Sequence, residues 1–110
     1  MAEPTLTEVF GAGATQSSTQ LVIDKADLVA MGLTASAANT AESLLIALVK
    51  QWQINLTEQN RLVDLPARNV SVNYSGQDLV EQAGVNYRRS VWSILAYKNE
   101  PLETIDPDDY

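Results

Sequence analysis

The side chains with chemical potential are few, and they cluster at two places. The first is the C-terminus, where Asp106, Asp108 and Asp109 have the spacing of calcium ligands. That segment lacks the glycine and the distal glutamate of a calcium-binding loop, and Pro101 and Pro107 leave it no rigid frame. The second is the pair Arg88 and Arg89, next to Tyr87 and Trp92, the one basic and aromatic cluster of the chain. Such a group can hold phosphate or stack on a base. Two adjacent strand positions, however, send their guanidinium groups to opposite faces, and the electrostatic footprint is thin. Pairing with an acidic segment, such as the tail of a neighbouring copy, fits these arginines better, and arginines with aromatics are common interface anchors. Elsewhere Glu42, Glu58, Asp64, Asp78 and Glu81 are scattered, whereas acid–base work on a glycoside needs two carboxylates held across a cleft.

The composition removes most other machinery. The 110 residues include no cysteine and no histidine. Thiolate metal sites, thiol nucleophiles, the usual zinc ligand and the base of a serine triad are therefore all missing. Serine and threonine are plentiful, but no Gly-x-Ser-x-Gly elbow is present. Gly11 and Gly13 are not followed by Gly-Lys-Ser/Thr, so they do not make a phosphate loop. The expectation is a protein that is not an enzyme and takes no cofactor or metal.

Charge sharpens that picture. Of a net charge of -7, the last twelve residues carry Glu100, Glu103, Asp106, Asp108 and Asp109 with no basic partner. Leu102, Ile105 and Tyr110 punctuate the same stretch with apolar groups that a merely solvating tail does not need. An acidic strap repels phosphate backbones, so direct nucleic-acid binding is not expected, and a basic protein surface is its natural partner. No basic and apolar leader follows Met1. The densest apolar run, Leu44 to Val49, is far short of the ~20 residues a membrane span requires, so no membrane contact is expected either. The three Asn-x-Ser/Thr tripeptides at Asn55, Asn69 and Asn73 read as polar positions on a helix and a strand.

The elements that must position these groups follow from periodicity. Residues 1–16 are small and weakly patterned, an extended arm anchored by Val9 and Phe10. Ser17 to Asp24 alternates as a strand. Asp24 then caps a two-turn helical segment, Lys25 to Met31, stopped by Gly32. Asn39 and Glu42 form a capping-box pair opening the main helix, which is predicted to run to about Asn60. Leu45, Leu48, Val49, Trp52 and Leu56 make one apolar stripe along it, widened by Leu44 and Ile46. Asn69 to Tyr74 and Asn86 to Lys98 read as strands, with a connection over Ser75 to Val85 that includes a helical turn at Gln77 to Gln82. At ~3.3 Å per residue the last strand spans ~40 Å, more than a domain of this size needs, so a protruding hairpin is one consequence.

The predicted fold is α+β: one main helix packed on a small, mainly antiparallel sheet, with extended N- and C-terminal arms. Its organisation is an arm over residues 1–16, one domain over 17–98 and an acidic tail over 99–110. The strings Thr5 to Gly11, Leu33 to Ser36 with Asn39 to Leu44, and Thr104 to Tyr110 resemble small proteins of cyanobacteria and their phages. That resemblance implies a virion part. The expected function is a structural subunit of a phage-like particle, a neck, tail or capsid-cement component, homo-oligomeric and bound to copies of itself and other virion proteins. Its interface residues are expected to be Arg88, Arg89, Leu102, Glu103, Ile105, Asp106, Asp108, Asp109 and Tyr110. The rival reading is a cytoplasmic adaptor whose acidic tail docks on a basic partner.

Overall fold

Thr5 begins the first ordered element. Its hydroxyl accepts the Glu8 N–H at 3.1 Å while the Glu8 carboxylate accepts the Thr5 N–H at 3.3 Å, a reciprocal cap that winds Leu6–Phe10 into helix α1. The structure is a computed structural model that describes residues 3–65, 67–98, 105 and 107–110. The N-terminal sixteen residues are thus not extended throughout, because the Thr5–Glu8 cap outweighs the glycines that follow. Gly11 turns the chain out of α1 at φ 107°, and a Cβ there would meet the Asp27 Cβ at 2.6 Å. Only glycine allows that approach.

The strand expected over Ser17 to Asp24 is replaced by a small antiparallel pair, β1 (Thr15–Gln16) with β2 (Leu21–Val22). The Ser17 hydroxyl accepts the N–H groups of Thr19 and Gln20, which folds the polar run into a turn instead of extending it. Asp24 caps the next segment as predicted, accepting the Ala26 N–H at 3.0 Å. Lys25–Met31 is a 3-10 helix that ends at left-handed Gly32.

The main helix, α2, spans Ala41–Asn55 and is capped by Thr40, not by Asn39. Asn39 is engaged in the preceding loop, where it accepts the Ser36 N–H and donates to the Thr34 carbonyl. The cap therefore passes to the next residue, with Thr40 Oγ1 accepting from Ser43 N. α2 is also shorter than predicted. The chain breaks at Leu56, and Thr57 caps a separate helix, α3 (Glu58–Val63), by accepting the Asn60 N–H. Asn60 in turn donates to the carbonyl of Asn55, and Val72 N donates to the carbonyl of Leu56, so the exposed end of α2 is satisfied from two sides.

Two long strands complete the fold. β3 (Val70–Gln82) pairs antiparallel with β4 (Val85–Ala96) from Val70↔Ala96 to Gln82↔Val85. The predicted connection over Ser75 to Val85 is thus ladder, not a helical turn. Six residues of helical propensity cannot nucleate a helix against a continuous set of cross-strand partners. The turn is only Ala83 and Gly84, both at positive φ (53° and 78°), as a type I′ hairpin requires. One irregularity lies between Tyr74 and Gly76, where Ser75 bulges from β3 while β4 runs through without interruption.

The architecture is α+β, with the principal helix packed on an antiparallel sheet. Leu28, Leu33 and Ala47 form the buried cluster under α2, joined by Met31, Leu44 and Leu48. Trp52 meets Phe10 edge-on at 6.4 Å, and Val72 and Leu56 are buried. The apolar stripe is therefore split between two neighbours. Its N-terminal half turns Leu44, Ala47 and Leu48 toward the 3-10 helix, leaving Leu45 exposed where burial was expected. The molecule measures 46 × 32 × 25 Å along its principal axes, consistent with a hairpin of ~40 Å running its length.

Candidate functional site

The distal half of the β3–β4 hairpin is where chemistry-bearing side chains stand clear of the body. Side chains alternate across the ribbon, so Asp78, Val80, Tyr87, Arg89 and Val91 share one face, and Gln77, Leu79, Arg88 and Ser90 share the other. On the first face Arg89 grips Asp78 with two hydrogen bonds, Nε to Oδ1 at 2.9 Å and Nη2 to Oδ2 at 2.6 Å. That bond holds the Asp78 carboxyl below its ordinary range and the Arg89 guanidinium above its own. Both groups are open to solvent. On the second face Gln77 donates to Ser90 at 3.1 Å and accepts a long 3.5 Å bond from Arg88.

Around these polar pairs lie large apolar groups. Leu79 is 67% exposed, Tyr87 51% and Val85 50%, and Val91 is also exposed. Leu56, which ends α2, meets β3 near its start, where its carbonyl accepts from Val72 N, and these groups stay exposed among the described residues. At the base of the hairpin the pattern changes. Trp92 packs against Tyr74 with ring centres 5.2 Å apart and planes tilted by 56°, and donates its indole N–H to Gln53 of α2 at 2.8 Å. Tyr97 packs on α3, with the Arg61 guanidinium 3.6 Å from its ring centre and its hydroxyl donating to Glu58 at 3.3 Å. Arg61 also holds the Glu58 carboxyl below its ordinary value, helped by the Tyr97 hydroxyl.

The predicted interface residues divide. Arg88 and Arg89 fall on opposite faces, as expected, but the acidic partner of Arg89 is Asp78 of its own chain. No hydrogen bond or ion pair among the described residues joins either arginine to the tail. Ile105 is 83% exposed, and Asp108 and Asp109 lie in a short 3-10 turn, Pro107–Asp109. Leu102, Glu103 and Asp106 lie outside the described residues. Tyr110 closes one side of a cavity of about 420 Å³, whose walls include Pro4, Val9, Trp52, Val72 and Ile94. The Trp52 indole N–H is buried there without a hydrogen-bond partner among the described residues. No cluster of three acidic, histidine or cysteine side chains is placed to hold a metal among the described residues.

One cluster has no counterpart in the sequence reading. Arg68, 7% exposed, donates to Glu8 of α1 at 3.0 Å and to Asp64 at 3.1 Å. The Glu8 carbonyl accepts from Asn55 at 2.6 Å and from Gln51 at 3.3 Å, so α1 is fastened to α2 at the same point. The i,i+4 spacing of Asp64 and Arg68 is visible in the sequence; the partner sixty positions earlier is not.

No family model, curated protein or solved structure matches this chain.

Proposed function

We propose that this chain is a structural subunit that works through protein–protein contact, a neck, tail or capsid-cement component of a phage-like particle. Its partners are copies of itself and other virion proteins, and its place is the virion. The observation that carries this reading is the projecting hairpin with Leu79, Val85, Tyr87 and Val91 exposed on its faces. Clustered exposed apolar groups mark interaction surfaces, and a two-stranded ribbon is at best marginal in water without something packed on it. The tail supplies a second contact chemistry, apolar anchors set among acids.

The phage setting rests on the sequence resemblance, and the assembly role rests on the hairpin. A direct test is the mass of the purified chain in solution over a range of concentrations, followed by imaging of any particles. Rings, tubes or discrete oligomers of the 12.0 kDa chain support the reading. A chain that stays monomeric and binds no particle protein contradicts it.

A further inference from the structure

We infer that β4 is the contact strand and that its partner is β4 of a second copy, antiparallel, with the two Val91 residues facing each other across the two-fold axis. The inference rests on the assembly reading above and specifies its partner.

Three observations single out this edge. The first is its backbone. Tyr97 N donates to Asn69 O across the hairpin, and in an antiparallel pair such residues alternate with ones whose N–H and C=O point away. Counting back along β4, the odd residues bond to β3, and Asn86, Arg88, Ser90, Trp92, Ile94 and Ala96 present theirs outward. Among the described residues no bond outside the hairpin takes them up. The other edge is different: Val72 N of β3 already donates to Leu56 O, and the bulge at Ser75 interrupts that strand. β4 carries no proline and no bulge, the devices that blunt an exposed edge.

The second is self-complementarity. Outward groups pair only when even residues meet even residues, which restricts the register. Centred on Val91, the pairing sets Tyr87 against Leu95 and Val91 against Val91 on one face, and Ser90 against Trp92 on the other. Arg89 then faces Ser93, and Arg88 faces Ile94. No arginine meets an arginine, whereas a register centred on Arg89 would oppose two of them. The third is charge. Between Val70 and Lys98 lie only two acidic and three basic side chains, so the strongly acidic tail does not make the hairpins repel. The paired strands would form about a dozen backbone hydrogen bonds, near the ~10 of a typical stable interface.

The chain has no cysteine, so a single introduced thiol reports the register cleanly. In the full-length chain, Val91→Cys places two thiols at a close antiparallel pair, ~4.5 Å between Cα atoms, within disulfide range. Ser90→Cys places them on a diagonal ~7–8 Å apart, beyond it. Under mild oxidation Val91→Cys gives a linked dimer at least about tenfold faster than Ser90→Cys. Adding Arg88→Pro, which removes one outward donor and no ladder bond, abolishes the link while the circular dichroism stays native. Faster linkage through Ser90→Cys overturns the register. Self-association with no link at either site overturns the choice of strand and leaves the assembly reading standing. A chain that is monomeric throughout overturns the β4 pairing, and it overturns the assembly reading as well only when it also binds no particle protein.

Discussion

The Arg68 guanidinium lies 3.0 Å from the Glu8 carboxylate and so ties the N-terminal helix to the segment leading into β3. An N-terminal stretch that reads as an arm reaching outward is instead part of the chain's own body. Arg68 is buried, while Glu8 and Asp64 remain partly open to water, so removing Arg68 costs its hydrogen bonds and packing and leaves two carboxylates that water can partly solvate. Arg68→Ala is expected to destabilise the monomer by about 1–3 kcal/mol, measured by urea unfolding. Deleting residues 1–16 removes the same contacts together with the Phe10–Trp52 packing, and lowers stability as well.

The same pair sets a pH dependence. The Arg68 hydrogen bond, with the Thr5 N–H, holds the Glu8 carboxyl below its ordinary value of 4.5. A depressed folded-state pKa contributes stability that is fully present above pH ~4.5 and fades as pH falls through the folded value. Unfolding titrations of the wild type and of Glu8→Gln between pH 7 and pH 3 should converge at the acid end. Parallel curves would show that Glu8 contributes nothing to acid sensitivity.

In the core, Leu28 is 2% exposed and sits on Ala47 and Leu33, whereas Leu45 is 53% exposed. Leu28→Ala should cost about 2–5 kcal/mol, and Leu45→Ala less than about 1 kcal/mol. Equal losses would place Leu45 in a core contact.

The hairpin turn offers an improvement. Ala83 adopts φ 53°, a left-handed conformation that asparagine tolerates better than alanine. Ala83→Asn creates the Asn-Gly pair that type I′ turns favour, and is expected to stabilise by about 0.5–1 kcal/mol in thermal unfolding. Loss of stability would mean that the turn is not type I′.

These sites show what the sequence made legible. Asp24 and Gly32 were readable because a cap and a left-handed stop act within a few residues of each other. The start of α2 lies one residue beyond the Asn39 cap that the sequence suggests, because Asn39 serves the loop before it, a competition invisible to helix periodicity. The break at Leu56 is not legible in the periodicity although Thr57 carries a capping side chain, since the apolar stripe runs up to Leu56 without interruption. The length of β4 points to a protruding hairpin, but the helix-forming run Gln77 to Gln82 masks the distal half of β3, and Ala-Gly in place of Asn-Gly masks the turn. Its register rests on pairs such as Asp78 with Arg89, whose relation spans the turn. The two-face alternation of Tyr87 and Val91 against Trp92 and Ile94 was legible, and so was the separation of Arg88 from Arg89.

In the tail, Ile105 is 83% exposed and contributes no core contact. Ile105→Ser should leave monomer stability unchanged, yet weaken association if the tail works through its apolar anchors. Replacing Leu102, Ile105 and Tyr110 together with serine is expected to weaken association more than neutralising Glu103, Asp106, Asp108 and Asp109, because exposed ion pairs are screened by salt. The reverse order, in a binding assay at physiological salt, would make the tail a charge strap.

The most direct measurement of the assembly role is sedimentation equilibrium of the wild type beside a variant carrying Val85→Ser, Tyr87→Ser and Val91→Ser. These three side chains are exposed on the hairpin, so the body of the variant keeps its melting temperature. The wild-type mass should rise above 12.0 kDa with concentration, while the variant remains at 12.0 kDa. A wild type that sediments at 12.0 kDa throughout, or a variant that associates as well as the wild type, would contradict it.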